Sequence, residues 1–211
     1  HLEITKNREK MACYAEKIQQ KQWLGYSGLP ITDIVNIGIG GSDLGPKMVY
    51  EALSEFKHPD LHCHFVSNAD AENIQTILQT LNPATTLFII SSKSFSTKET
   101  LLNAKYAQQW FSEKTGHAKN RQHHFLAITA APQLAINFGI DKQHVFKLEQ
   151  WIGGRYSIWS AIGLPIAICF GMERFKSLLQ GAYEMDQHFQ TAPFEKNMPV
   201  ILALLSVWQI N

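Results

Sequence analysis

Apolar runs and helical stripes take turns along most of this chain. Asp33 to Ile39 has the length and the Ile/Val content of a strand buried on both faces. Similar runs recur at His62–Val66, Leu87–Ile90, Phe125–Thr129 and Val145–Leu148. Helical patterns separate them, one reaching about Glu55, one near 71–80 and one following Ser96. Strands that alternate with helices five times predict an α/β fold. Its form would be a doubly wound, five-stranded parallel sheet flanked by helices, with ligands at the carboxyl ends of the strands. After Gly154 the pattern turns all-helical, with helices expected over 156–170, 173–190 and 199–210. Ahead of the first strand, residues 1 to about 28 read as a charged helix and a connector, broken by Leu29-Pro30. Its stripe of Met11, Tyr14 and Ile18 is weak, and it is expected to lean on something outside the chain. The expected divisions are a helical connector over 1–30, an α/β domain over 31–150 and a helical extension over 151–211.

One stretch organises the rest. Leu87-Phe88-Ile89-Ile90 runs into Ser91-Ser92-Lys93-Ser94-Phe95-Ser96-Thr97, and a helix follows. Ser96 stands three residues before Glu99, the spacing of a capping box. Leu102, Tyr106 and Trp110 then recur every fourth residue and predict one apolar stripe. A buried strand feeding a helix N-terminus makes an anion site, because first-turn N–H groups lack intrahelical partners and carry the positive end of the dipole. Ser92, Ser94, Ser96 and Thr97 add short neutral donors that can surround a phosphate dianion. Any one of them could equally cap a helix or fill a turn.

Composition narrows the classes. The chain has 211 residues, 45% of them hydrophobic, enough for one sizeable core with an appendage. Lys and Arg number 19 against 18 Asp and Glu, with no long run of either sign, so the footprint of a nucleic-acid binder is missing. The longest apolar segment, Ile158 to Phe170, contains Pro165 and is too short to span a bilayer. It reads as a buried helix. Cys13, Cys63 and Cys169 are widely spaced and form no CxxC, which points to free thiols in a reducing compartment. The first residues carry no signal-peptide pattern, so a cytoplasmic location is expected. The chain opens on His1 and stops inside an apolar helical pattern at Asn211, as a piece of a longer protein would.

Other motifs bear on chemistry. Gly38-Ile39-Gly40-Gly41-Ser42-Asp43-Leu44-Gly45 follows the first strand, where phosphate-binding turns live. It is no dinucleotide fingerprint, since Asp43 stands where the third glycine would be. Pro46 in place of lysine excludes a P-loop, and Leu44 excludes a nucleophile elbow. What remains is a glycine-rich turn that brings backbone close to a ligand, or that packing demands. Gly153-Gly154-Arg155 frees the backbone to aim a guanidinium into a cleft, against the alternative of a structural ion pair. His62 with His64, and His123 with His124, invite a metal reading. No acidic residue or cysteine completes a ligand set, and solvated strand ends are the expectation. Glu51, Glu55, Glu99, Glu149 and Glu184 are acid–base candidates by type, with no paired-carboxylate signature to single one out. No cofactor is called for.

Gly38 to Pro46, Ser92 to Thr100 and Gly153 to Leu164 together closely resemble the glucose-6-phosphate isomerases, and the last looks like that family's signature segment. Met185 to Phe189 and Glu195-Lys196-Asn197 with Pro199 also look like the family's text. The resemblance runs from about residue 30 to the C-terminus, over a middle section of the family's chain. It implies a sugar-isomerase (SIS) domain of flavodoxin-like type, leading toward a second such domain. It implies interconversion of glucose 6-phosphate and fructose 6-phosphate, in glycolysis and gluconeogenesis. Carried across, Ser92, Lys93 through its backbone, Ser94 and Thr97 would hold the phosphate, and Gly41 and Ser42 would line the sugar site. Arg155, with Gly154 shaping its approach, would stabilise an enediolate. The family's general base and its ring-opening histidine and lysine fall beyond Asn211, and its members are dimers. Gln150 stands before Trp151 where the family pattern usually has an acidic residue. The resemblance leaves a second reading, a non-catalytic sugar-phosphate-binding module of a regulator. A nucleotide-binding oxidoreductase is disfavoured by the failed glycine fingerprint.

Overall fold

The computed structural model describes residues 2–68, 70–116 and 118–210. Ala69, placed by sequence at the end of the second strand, lies outside the described residues, as do the chain ends His1 and Asn211. Five strands form one parallel sheet: β1 (Asp33–Gly38), β2 (His62–Val66), β3 (Thr86–Ser91), β4 (Phe125–Thr129) and β5 (Val145–Lys147). Their spatial order is β2-β1-β3-β4-β5. The chain therefore leaves β1 toward β2 and crosses back to β3, and the carboxyl ends of β1 and β3 flank the point where the order reverses. The β1–β3 register pairs Asp33 with Thr86 and ends on Gly38 beside Ser91.

Helices pack around this sheet: α1 (Leu2–Gln19), α2 (Leu44–Ala52), α3 (Ala71–Thr80), α4 (Lys98–Thr115), α5 (Pro132–Asn137) and α6 (Leu164–Phe170). Every residue of β3 and β4 is buried, as strands covered on both faces require. Phe88 stacks on Phe125 at 4.7 Å between ring centroids, and Phe111 of α4 meets Phe125 edge-on at 5.7 Å. Burying one such ring contributes about 2–3 kcal/mol.

Several expectations change on contact with the fold. The helix after the hydroxyl-rich stretch starts at Lys98 with Thr97 as its N-cap, and no side chain caps it. The capping box from Ser96 to Glu99 does not form, because with Thr97 as N-cap Ser96 lies one residue ahead of the cap and Glu99 falls at the second helical position; the Ser96 hydroxyl donates to Ser94 Oγ at 2.7 Å. The buried face of α4 is Thr100, Asn103, Ala104, Ala107 and Phe111, whose small members let the helix lie close to the sheet. Tyr106 and Trp110 flank that face, and Leu102 is 57% exposed, so the expected stripe is not the core face. The buried helix expected over 156–170 is instead two 3-10 segments, Gly154–Trp159 and Ala161–Gly163, followed by the seven residues of α6.

The N-terminal helix finds its partners inside the chain. Met11, Ala15 and Ile18 are buried. The Asn7 amide donates to Lys147 O at 2.8 Å and Lys10 Nζ to Val145 O at 2.8 Å, so α1 covers the open edge of β5. Gln19 donates to Ile168 O of α6 at 3.0 Å. The histidines also depart from solvated strand ends. His64 meets Asp33 Oδ1 at 2.9 Å, and His124 is fully buried. Its Nε2 accepts from the Tyr26 N–H, which leaves the proton on Nδ1 to donate to Thr86 O at 2.7 Å. Burial pushes the pKa of His124 below the usual imidazole value. Among the described residues no cluster of three or more His, Cys, Asp or Glu could hold a metal ion.

This first compact unit ends at Met172 and contains α1 as well as the sheet. The second begins at Glu173 and consists of α7 (Met172–Thr191), a 3-10 turn at Phe194–Lys196 and α8 (Met198–Ile210). Asn197 joins its helices: Nδ2 donates to Phe189 O at 2.8 Å and Oδ1 accepts from Val200 N at 3.3 Å. Leu202, Leu204, Trp208 and Ile210 of α8 are exposed. Among the described residues no helix is long and apolar enough to cross a membrane.

Candidate active site

A cavity of about 570 Å³ opens at the carboxyl ends of β1, β3, β4 and β5. Ile39, Gly41 and Ser42 line it from the turn after β1, and Ser91, Ser92, Lys93, Ser94, Thr97 and Thr100 from the end of β3 and the start of α4. Ala130 and Ala131 close one side, and Leu148, Gln150, Ile152, Gly153, Gly154 and Ser157 the other. Its volume lies in the range of small-molecule sites.

The hydroxyl-rich loop is held from behind. Ser92 N donates to Ile128 O at 3.0 Å. Ala130 N and Thr129 Oγ1 both donate to Lys93 O, at 2.9 and 3.0 Å. With that carbonyl engaged, only the Lys93 N–H is left on the backbone for a ligand. Phe95 turns the loop in the left-handed region, φ 48°, with Phe95 N donating to Ser92 O at 3.2 Å. Such a conformation is costly for a bulky residue, and it is held by burial of the ring, which meets Phe138 edge-on at 5.6 Å. Ser92 and Thr97 hydroxyls sit 3.4 Å apart, and Ser94 Oγ accepts from Ser96, which leaves the Ser94 proton free to donate. These groups face the cavity at the N-terminus of an 18-residue helix, where first-turn N–H groups and the dipole favour an anion.

The opposite wall is two backbone turns in contact. A Cβ built on Gly41 would overlap the Gly154 carbonyl, so packing between the turns, as well as nearness to a ligand, demands glycine at 41. Gly154 itself has φ 62°. Beneath this wall runs a buried polar seam. Asn36, in the middle of β1, donates from Nδ2 to Ser42 O at 3.0 Å and accepts at Oδ1 from Ser91 Oγ at 3.0 Å.

Gly41, Ser42, Ser92, Lys93, Ser94, Thr97 and Gly154 all line the cavity; Arg155 does not. The left-handed turn at Gly154 leads into a 3-10 segment in which Arg155 is exposed and lies over the Tyr156 ring, Cζ to centroid 5.1 Å. Asn36, Ser91, Thr100 and Gln150 were not singled out from sequence as site residues. Asn36 had one available signal, a lone polar side chain inside an apolar strand. None of the described residues lining the cavity is Asp, Glu or His. Asp43, buried beside the turn, has its Oδ1 unpartnered, and burial pushes its pKa up against a hydrogen bond from Ser67. The arrangement suits an anion at one end and hydroxyl groups along the wall. Among the described residues that line it, Lys93 is the one with an acidic or basic side chain.

A family model described as phosphoglucose isomerase matches residues 2–211. The chain is 53% identical over 209 residues to glucose-6-phosphate isomerase 1 of Chromohalobacter salexigens, covering 99% of this chain and 38% of that protein. The glucose-6-phosphate isomerase of Campylobacter jejuni subsp. doylei is 52% identical over 202 residues, 96% of this chain and 37% of the relative. A crystal structure of a glucose-6-phosphate isomerase from Chlamydia trachomatis matches with a TM-score of 0.83 at 32% identity, over 98% of this chain and 38% of that one. The chain thus spans under two-fifths of the length of these relatives.

Proposed function

The chain belongs to the phosphoglucose isomerase family, and on that premise we propose that it forms the sugar-phosphate-binding part of an aldose–ketose isomerase. The reaction is interconversion of glucose 6-phosphate and fructose 6-phosphate through an enediolate, as a proton moves between C1 and C2. One observation carries the reading: the hydroxyl-rich loop at the start of α4 and the paired glycine turns face each other across one cavity.

In this reading the phosphate dianion sits against Ser92, Ser94, Thr97 and the Lys93 N–H. The helix dipole and short neutral donors bind it there without a buried counter-charge. The sugar chain extends along Gly41 and Ser42. Arg155 directly follows cavity-lining Gly154, and its guanidinium stabilises the negative charge that develops on the enediolate oxygens. No acid or imidazole lines the cavity among the described residues, so the proton-moving groups come from elsewhere in the assembled enzyme. The 211-residue chain alone therefore binds and does not turn over. The reading further expects a cytoplasmic homodimer, without nucleic acid or membrane as partner.

Calorimetric titration of this chain with fructose 6-phosphate, with unphosphorylated fructose as control, tests the proposal. Binding of the phosphorylated sugar alone is expected. Heat from neither ligand, with a chain shown to be folded, would contradict the phosphate cradle, and isomerase turnover by the chain would contradict the missing base.

A further inference from the structure

Thr129 ends β4, is fully buried, and bonds to two loops that line the cavity. Its Oγ1 donates to Lys93 O at 3.0 Å and accepts from Ala131 N at 3.0 Å. The sense of both bonds is fixed, because a carbonyl can only accept, an amide N–H can only donate, and the hydroxyl has one proton. Ala130 N donates to the same Lys93 carbonyl at 2.9 Å. That carbonyl belongs to the peptide unit that carries the Ser94 N–H. The unit is trans, so with its carbonyl gripped from β4 the Ser94 N–H points away from that strand. The preceding unit, which carries the Lys93 N–H, is held as well, with Ser92 O accepting from Phe95 N at 3.2 Å. Among the described residues neither N–H has an acceptor. A valine would fill the same volume at the end of β4, so burial alone does not call for the hydroxyl.

From this, and resting on the isomerase reading above, we infer that Thr129 is a positioning residue for the phosphate: through the Lys93 carbonyl it fixes the peptide unit between Lys93 and Ser94, so that the Ser94 N–H donates to the phosphate beside the Lys93 N–H. Two successive N–H groups on fixed planes suit an oxyanion, which can only accept. The same unit turned over would offer its carbonyl oxygen instead and repel the anion. A carbonyl that accepts twice also polarises its own peptide unit, which strengthens the N–H at the other end.

The test uses the full-length isomerase that carries this chain, with Thr129→Val and Thr129→Ser. The readouts are KM for fructose 6-phosphate, kcat, and the inhibition constant of inorganic phosphate as a competitor. Thr129→Val is expected to raise KM and the phosphate inhibition constant in step, each about threefold to tenfold, the range of one hydrogen bond. The change in kcat is expected to be smaller, because the phosphate is held alike in the ground and transition states. Thr129→Ser keeps the hydroxyl and is expected to restore both constants. A threonine that only supports the fold would lower the melting temperature without moving the two constants in step, and that result overturns the inference. So does a rise in KM with phosphate inhibition unaltered, or a serine variant as weak as the valine one. Should Thr129→Val fail to fold, Thr129→Cys, whose thiol is a weak donor, carries the same comparison. A wild-type enzyme inactive on fructose 6-phosphate would overturn the isomerase reading and this inference with it. An active wild type with unaltered variants overturns the inference only.

Discussion

The carbonyl of Gly154 lies against the Cα of Gly41, with no room for a methyl group between the two turns. Gly154 is the freer partner: a Cβ there meets nothing within 4 Å, and only its φ of 62° opposes a side chain. Gly154→Ala should therefore cost about 1–2 kcal/mol, the left-handed penalty. Gly41→Ala should also push the two turns apart, adding an overpacking cost of about 1–3 kcal/mol and widening the cavity. Urea unfolding should rank Gly41→Ala as the larger loss, and calorimetry should find its fructose 6-phosphate heat gone.

Phe95 makes a related prediction at the other wall. Its ring is 3% exposed while its backbone sits at φ 48°. Phe95→Ala loses ring burial, about 3–5 kcal/mol, and keeps the strained backbone. Phe95→Gly loses the same ring and relieves the strain. The glycine variant should be the more stable of the two by about 1 kcal/mol in urea unfolding. Equal midpoints would mean the loop relaxes once the ring is gone.

Ser94→Ala in the full-length enzyme should remove a hydrogen bond to the phosphate. Loss of one bond to a charged group corresponds to about 1.5–3 kcal/mol, read as a raised KM. Since Ser94 is exposed and its only bond among the described residues is from Ser96, stability should hold. An unchanged KM would remove Ser94 from the cradle.

Arg155→Ala should behave in the opposite way. The guanidinium matters most when the oxyanion develops, so turnover should fall while KM moves little. Its side chain is exposed here over Tyr156, so the melting temperature of this chain should not change. Normal turnover in the variant would assign Arg155 a structural role.

Acid should weaken the fold through His144. Burial pushes its pKa down to about 4, with Asp141 opposing and His123 and Lys10 reinforcing the shift. Below pH 6.5 the unfolded chain binds a proton that the folded ring refuses until about pH 4. Stability is unaffected above that window and falls as pH drops through it, by roughly 3 kcal/mol at most. His124 is displaced in the same direction and adds to the slope. Urea midpoints between pH 7 and 4 should show the loss, and His144→Asn should flatten it.

What was legible in the sequence was local. The run Leu87 to Ile90 announces a strand buried on both faces, and the structure extends it by only one residue at each end. The hydroxyls after it announce a polar wall at a helix N-terminus, and Ser92, Ser94 and Thr97 do line the cavity there. What failed depended on partners distant in the chain. The Ser96–Glu99 spacing fits a capping box, yet the helix starts one residue later, with Thr97 as N-cap, and the Ser96 hydroxyl bonds to Ser94 instead. The face that α4 buries is decided by how close the helix must approach the sheet, so Ala104 and Ala107 win over Leu102. His124 looks solvated beside His123 until Tyr26 and Thr86 close around it.

The seat of α1 also sets a schedule for making the protein. Lys10 bonds to a carbonyl 135 residues later, and Gln19 to one 149 residues later. A chain growing at about 5–20 residues per second makes these partners roughly 7–30 s after α1. During that interval Met11, Ala15 and Ile18, buried in the finished fold, face water or whatever binds them first. Within this segment α1 is thus made well before the elements it docks on, and it is at hand to cover the β5 edge as soon as that strand forms.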